Sequence, residues 1–171
     1  IRDRYNIKSD QIEKMEVKKG QPYKAGGSQL IYDRVKHQLI SYSILNDSLI
    51  FFNFNNGEWP DHPTEKLAVI QQHNRFVDPL TNTLVVFGGY GNHTYNAELA
   101  IHELDGCKWK IDTISSLLSP RYLSSIGNMG NGKFLLMGGY GSASGKQEEF
   151  PKNLHDLYLI CLLYTSPSPR D

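Results

Sequence analysis

Short apolar runs alternate with polar turns along most of the chain, and this pattern predicts β-strands. The runs at 84–87 and 134–137 are only four residues long, which is short for a helix and typical of buried strands. Polar segments at 33–38 and 78–83 separate apolar runs and predict hairpin turns. The segment 127–132 is expected to form the equivalent turn with glycines, which tolerate a positive φ. No convincing helical pattern occurs, so the sequence predicts an all-β fold.

An internal repeat orders these strands into similar units. The apolar run that ends in Gly88-Gly89-Tyr90-Gly91 recurs 50 positions later, where it ends in Gly138-Gly139-Tyr140-Gly141. Trp59 and Trp109 are separated by the same interval, and each closes a polar turn after an apolar segment. Two independent markers therefore indicate one repeating unit.

The third copy of this unit breaks off near Ile160. Its strand at 156–159 parallels 98–101 if the preceding loop is eight residues longer, but the tryptophan expected near position 167 is missing. Residues 161–171 instead shift to a Ser-Pro tract, which resembles a translated sequencing-adapter tail of the kind seen at the ends of metagenomic open reading frames. They are interpreted as a non-native tail, and the alternative is a linker to another domain.

The paired glycines have a steric interpretation. At Gly88-Gly89 and Gly138-Gly139 we expect neighbouring backbones to come so close that a side chain would not fit. These four glycines and the two tryptophans, Trp59 and Trp109, are therefore treated as structural markers of the repeat and not as ligand-binding residues.

The ordered set of markers resembles the Kelch repeat of the β-propellers, including the central domain of galactose-oxidase-like proteins. The Pro-Arg pair in Ser119-Pro120-Arg121-Tyr122 adds to this resemblance. It implies a partial Kelch-type propeller of about three four-stranded antiparallel blades, whose missing neighbours would complete a closed ring. The first blade departs from the pattern, because Ser43-Ile44 stands where the double glycine is expected.

The resemblance also divides the chain. Blade-like units are expected at about 21–60, 67–113 and 117–160, the last of them truncated. Residues 1–20 are either the end of a preceding blade or a polar connecting segment, and the sequence leaves both interpretations open.

Composition narrows the classes of partner. The chain carries 18 Lys and Arg against 18 Asp and Glu, so no net charge attracts it to nucleic acid. No apolar stretch approaches the roughly 18 residues of a membrane span. The two cysteines and six histidines lack the spacing of a metal site, and no cofactor is expected.

Candidate ligand-binding residues lie in the variable loops that follow the double glycines, because propeller ligands are usually met by loops at one rim. An aromatic ring beside a polar loop suits sugar stacking or a protein contact. The alternative is that these tyrosines only pack and that the charged groups are only solvated. The candidates are Tyr90, Asn92, His93, Tyr95, Tyr140, Lys146, Glu148 and Glu149.

The function expected from the resemblance is a non-catalytic binding module for a protein or a carbohydrate, in the sensor region of a bacterial protein. An extracytoplasmic location, periplasmic or secreted, is expected on the same ground. The alternative is part of a carbohydrate-active enzyme, galactose-oxidase-like or sialic-acid mutarotase-like, whose site lies in blades outside this sequence.

Overall fold

The computed structural model of the chain describes residues 2–6, 11–23, 30–62, 70–113 and 118–161. Within these ranges every regular element is a β-strand and every pairing between strands is antiparallel, which confirms the all-β prediction. The same residues contain no helix that could cross a membrane. The chain forms two compact units, Ile1–Ala68 and Val69–Asp171.

The first unit contains a hairpin and a three-stranded sheet. The hairpin strands pair along their whole length, and the sheet has the order β3-β4-β5. After the hairpin, the backbone N–H of Lys18 donates to the carbonyl of Gly57 at 2.8 Å. The strands are β1 (Arg2–Asn6), β2 (Gln11–Met15), β3 (Leu30–Asp33), β4 (Gln38–Ser43) and β5 (Ser48–Phe52).

The second unit begins with a four-stranded sheet in the order β11-β10-β7-β6 and a short β8-β9 ribbon. These elements form the first repeat of the unit. The strands are β6 (Asn74–Asp78), β7 (Thr83–Phe87), β8 (Tyr90–Gly91), β9 (Thr94–Tyr95), β10 (Glu98–Glu103) and β11 (Trp109–Thr113).

The second repeat of this unit forms a three-stranded sheet, β13-β14-β17, and a ribbon of three short strands, β12-β15-β16. The described residues thus hold one four-stranded sheet and three of three strands, counting the short ribbon, where the sequence predicted about three sheets of four. The strands are β12 (Arg121–Tyr122), β13 (Ser125–Gly130), β14 (Lys133–Met137), β15 (Tyr140–Gly141), β16 (Lys152–Asn153) and β17 (Leu157–Cys161).

The two repeats of the second unit share their pairing pattern. Leu99 lies opposite Phe87, and Leu157 lies opposite Met137. The glycine hydrogen bonds agree as well, since the N–H of Gly88 donates to Glu98 at 3.1 Å and that of Gly138 donates to Asp156 at 3.0 Å. The register confirms the predicted alignment, in which the second loop is eight residues longer.

The hairpin turns explain why an acidic or amide side chain lies at or near the end of the first strand of these sheets. Asp33 accepts from the N–H of Val35 at 2.9 Å, and Asp78 accepts in the same way from Leu80 at 3.1 Å. Asn128 accepts from Gly130 at 2.8 Å. The third turn is tighter than predicted, because residues 127–130 belong to β13 and only Asn131 and Gly132 form the turn.

The core of the second unit lies between its two main sheets. Phe134 and Leu136 of β14 are fully buried and pack with Val85 and Phe87 of β7. This face-to-face packing of two sheets holds the repeats together. Burial of each large apolar side chain stabilises the fold by about 1.5–3 kcal/mol.

The tryptophans occupy equivalent places in the two units. Trp59 packs against Phe52 at a ring-centroid distance of 5.1 Å, and Trp109 packs against His102 at 5.0 Å. Both indoles are buried. Position 167 and the tail from residue 162 onward lie outside the described residues, and Cys161 pairs with Lys133 at the end of β17.

The degenerate copy in the first unit has a simple geometry. Strand β4 runs into a turn at residues 44–47 and returns directly as β5. Ser43 is buried, and its hydroxyl accepts from the N–H of Asn46 at 3.2 Å, which closes the turn without a double glycine.

Candidate functional site

The two variable loops of the second unit meet each other. The N–H of Tyr95 in the first loop donates to the carbonyl of Gly145 in the second at 2.6 Å. The N–H of Gln147 returns a bond to the carbonyl of His93 at 3.0 Å. Thr94 and Lys146 form an isolated bridge beside these bonds. Loops that are far apart in the sequence therefore form one continuous surface.

Four tyrosines cluster where the loops join. The ring of Tyr95 lies 5.4 Å from that of Tyr90, 5.7 Å from Tyr122 and 6.0 Å from Tyr140, measured between centroids. Tyr90 and Tyr122 are 5.3 Å apart, and Tyr122 and Tyr140 are 6.1 Å apart. These are the separations of offset and edge-to-face aromatic pairs. We call these four residues the tyrosine cluster.

Burial differs across the tyrosine cluster. Tyr95 is buried at its centre, and the other three rings are half-buried. Burial raises the pKa of the Tyr95 hydroxyl, and the neighbouring hydroxyls of Tyr140, Tyr122 and Tyr90 raise it further. The Tyr95 phenol is therefore neutral at physiological pH, as both a donor and an acceptor of hydrogen bonds.

A glutamine joins the cluster to the exposed loop. The hydroxyl of Tyr90 donates to Oε1 of Gln147, and Nδ1 of His93 lies 3.3 Å from the same oxygen. Gln147 and His93 are exposed. An aromatic surface is thus flanked by polar groups that can exchange hydrogen bonds with a ligand.

The predicted site residues separate into two groups. Tyr90, Tyr95 and Tyr140 belong to the tyrosine cluster, and His93 adjoins it. Asn92, which is exposed and has a φ of 47°, forms the tip of the first turn. Their contact with a ligand stays a prediction.

The charged candidates form a separate part of the second loop. Nζ of Lys146 lies 2.8 Å from Oε1 of Glu149. This hydrogen bond raises the pKa of the Lys146 ammonium and lowers that of the Glu149 carboxyl. Glu148 is exposed between them. The charges of Lys146 and Glu149 therefore pair with each other, and Glu148 adds a further acidic group beside them.

Two members of the site were not among the sequence candidates. Tyr122 pairs with Tyr140 across β12 and β15, in the place that Gln71 occupies beside Tyr90 in the first repeat. Gln147 lies within the long loop. Tyr122 could have been selected from its position after the Pro-Arg pair, but no sequence signal distinguishes Gln147.

The double glycine of the first repeat lets the chain of the second repeat pass close by. A Cβ on Gly88 would lie 2.7 Å from the carbonyl oxygen of Arg121, and Gly88 has a φ of +69°. The N–H of Gly89 donates to that same carbonyl at 2.9 Å. The close backbone approach confirms the steric interpretation of the paired glycines.

Arg121 connects the two repeats. Its backbone N–H donates to the carbonyl of Asn96 at 3.0 Å. Its guanidinium, fully buried, makes a bidentate pair with Asp156 at 2.5 and 2.9 Å and donates to the carbonyls of Ser119 and Gly138. The Arg121 hydrogen bonds hold the pKa of the Asp156 carboxyl below its usual value. This residue thus supports the strands that carry the tyrosine cluster.

His73 lies next to Gly89 of the first repeat, and its titration makes the stability of the fold depend on pH. It is buried next to Gly89, and desolvation together with the charge of Arg75 lowers its pKa from 6.5 to about 4. In the unfolded chain His73 binds a proton near pH 6.5, whereas in the folded chain it does so only near pH 4. Stability is therefore full above pH 6.5 and falls as the pH drops towards 4.

We expect the free energy of unfolding to decrease by up to about 3 kcal/mol across this window, at 1.36 kcal/mol for each unit of pKa difference. His73→Gln removes this titration, and His37→Gln, in an exposed turn, is the matched control. Urea unfolding at a series of pH values from 7.5 to 4.5 measures the slope. An unchanged slope in His73→Gln would contradict the assignment.

Comparisons with known proteins do not assign a family. A scan of protein-family models finds no match to this chain, and a search of curated proteins finds no similar protein. In the part of the chain that the structure describes, no three His, Cys, Asp or Glu side chains come together in an arrangement that could hold a metal ion.

Proposed function

We propose that this chain is a fragment of a Kelch-type β-propeller that acts as a non-catalytic binding module, with the tyrosine cluster as its ligand-binding surface. The observation that carries the proposal is the junction of the two variable loops over four contacting tyrosine rings. Repeated sheets packed face to face support the architectural part of the proposal.

A carbohydrate is the ligand class that fits this surface best. Half-buried tyrosines offer ring faces for the C–H side of a sugar and hydroxyls for its polar rim. His93 and Gln147 add uncharged polar groups beside them. Lys146 and Glu149 pair with each other in a separate part of the second loop, so they add no unpaired charge to the tyrosine cluster. A protein partner is the other ligand class, for which tyrosines also serve as anchors.

Substitution of Tyr140 tests the surface. The chain is applied to an array of neutral oligosaccharides, and the dissociation constant is then measured for the strongest ligand. Tyr140→Ala removes one aromatic contact of hot-spot size, about 2 kcal/mol, and is expected to weaken binding about 30-fold. Tyr140→Phe retains the ring and is expected to lose much less.

The control for this experiment is Tyr32→Ala, which truncates an exposed tyrosine of the first unit. Thermal unfolding checks that each variant is folded. If no oligosaccharide is retained, or if Tyr140→Ala binds as tightly as the native chain, the carbohydrate assignment is wrong. The same variants then test retention of protein partners.

The structure also restricts which loop substitutions are informative. Tyr95 is buried and its backbone N–H is bonded, so replacing the whole segment 92–96 would disturb the fold. His93→Ala and Gln147→Ala change exposed side chains only. The carbohydrate-active enzyme remains an alternative for blades outside this sequence.

A further inference from the structure

The second variable loop carries an aromatic side chain that is almost wholly in solvent. Phe150 is 94% exposed, whereas the next most exposed large apolar side chain of the described residues, Leu80, is 67% exposed. The Phe150 ring therefore adds nothing to the packing of the second unit. Single exposed apolar residues are common on protein surfaces, so exposure alone assigns no role to this one.

The backbone at Phe150 has a conformation that a bulky residue rarely adopts. Its φ is 50°, in the left-handed region that favours glycine. Pro151 follows it, and a proline further restricts the conformations open to the residue before it. Backbone strain of this kind is concentrated at ligand-binding sites. The loop thus places a phenylalanine where glycine would be less strained, although the ring has no role in the core.

Hydrogen bonds fix the turn that precedes Phe150. The hydroxyl of Ser142 donates to the carbonyl of Lys146 at 2.8 Å, and the N–H of Lys146 donates to Oγ of Ser144 at 3.2 Å. The N–H of Glu149 donates to the carbonyl of Lys146 at 3.3 Å, beside the ion pair of the same two residues. Because these bonds extend to residue 149, the ring of Phe150 projects from a defined position.

The chain on both sides of Phe150 is attached to the tyrosine cluster. Gln147, three residues before it, accepts a hydrogen bond from the hydroxyl of Tyr90. Asn153, three residues after it, lies opposite Tyr140 in the pairing of β15 with β16. Three residues span at most about 11 Å, so the Cα of Phe150 lies within that distance of the Cα atoms of Gln147 and Asn153.

The Phe150 ring is nevertheless separate from the tyrosine cluster. A ring in contact with the cluster would lose much of its exposed surface, as Tyr95 does at the centre, and Phe150 is 94% exposed. The loop therefore presents a second aromatic surface, close to the cluster but not continuous with it. A ligand that contacts both surfaces has to extend beyond a single sugar ring.

We infer that Phe150 is a second aromatic contact of the same binding site, against which a later unit of an extended oligosaccharide stacks. The inference rests on the proposed function and narrows its ligand class, from neutral sugars in general to oligosaccharides long enough to reach from the tyrosine cluster to Phe150. Phenylalanine suits this role because its ring offers a large apolar face to the C–H side of a sugar.

Ligand length tests the inference. Dissociation constants are measured for linear gluco-, manno- and galacto-oligosaccharides, each as the disaccharide and as the hexasaccharide. Phe150→Ala is expected to weaken binding of the hexasaccharide about 10-fold and to leave binding of the disaccharide unchanged. Tyr140→Ala is expected to weaken binding of both lengths. Leu80→Ala, which truncates an exposed turn residue, is the matched control and should change neither.

Two further variants separate a ligand contact from a structural role. Phe150→Trp retains an aromatic face and should keep most of the affinity for the hexasaccharide, whereas Phe150→Gly should lose as much as Phe150→Ala. Glycine tolerates the positive φ, so Phe150→Gly should not lower the temperature of thermal unfolding. A lower unfolding temperature would show that the ring supports the fold, and the inference would then be wrong.

The outcomes distinguish this inference from the proposed function. If Tyr140→Ala weakens binding of both lengths and Phe150→Ala weakens neither, the tyrosine cluster binds sugar and only the inference is wrong. Equal losses for the two lengths in Phe150→Ala also overturn the inference, because they place Phe150 with the first sugar units. If the native chain binds neither length, the proposed function fails and the inference fails with it.

Discussion

Replacing Arg121 with methionine is expected to lower the free energy of unfolding of the second unit by about 3–5 kcal/mol, the usual result of breaking a buried ion pair from one side. The guanidinium is fully buried, and its two bonds to Asp156 join β12 to the start of β17. Methionine fills much of the volume but leaves the carbonyls of Ser119 and Gly138 without these donors.

The contrast with a surface pair makes this prediction specific. Lys146 and Glu149 are 59% and 45% exposed, so Lys146→Met should change stability far less than Arg121→Met does. Urea unfolding, monitored by hydrogen exchange of the amides in β7 and β14, measures the free energy of unfolding of the second unit in both variants. Similar losses in the two variants would show that burial does not govern the strength of the Arg121 pair.

Acid should weaken the Arg121 pair in a lower pH range than the one assigned to His73. Hydrogen bonds from Arg121 lower the pKa of Asp156 below 3.8 in the folded chain. The stabilising contribution of the carboxylate is therefore complete above that value and is lost as the pH falls through the folded pKa. The two groups act in successive windows, His73 first on acidification.

The repeat was predictable from the sequence because its markers act locally. The double glycine Gly88-Gly89 marks a close backbone approach, as the 2.7 Å distance at Gly88 demonstrates. The offset to the strand at 157–161 followed from an acidic residue that precedes an apolar run in both copies, and the register bears it out. Strand and turn signals span a few residues, so a single sequence contains them.

The site was predictable only in part because it depends on contacts between distant segments. Arg121 and Asp156 are 35 positions apart, and Tyr90 and Gln147 are 57 apart. No local pattern states which polar residue of a long loop will reach a given tyrosine. The tight third turn was missed for a related reason, since a bulge between Asn128 and Gly130 absorbs residues that resemble turn residues in sequence.

Gly141→Ala is expected to be as damaging as the loss of Arg121, although it adds only one methyl group. The new Cβ would lie 2.0 Å from the carbonyl oxygen of Pro120 and 3.0 Å from Cα of Arg121. Both obstacles are backbone atoms, so no side-chain rotation relieves the contact. The contact is relieved only if β12 moves away from β15. We therefore expect a loss of at least about 3 kcal/mol in the free energy of unfolding.

Gly127→Ala is the matched control, because a Cβ there meets no atom within 4 Å. Its smaller unfolded-state entropy should stabilise the unit by about 0.4–1 kcal/mol. The two alanine variants therefore move stability in opposite directions, and urea unfolding distinguishes them. Since Tyr122 and Tyr140 pair across the strands that Gly141→Ala separates, that variant should also lose oligosaccharide binding, whereas Gly127→Ala should retain it. Equal stability of the two variants would contradict the close approach at Gly141.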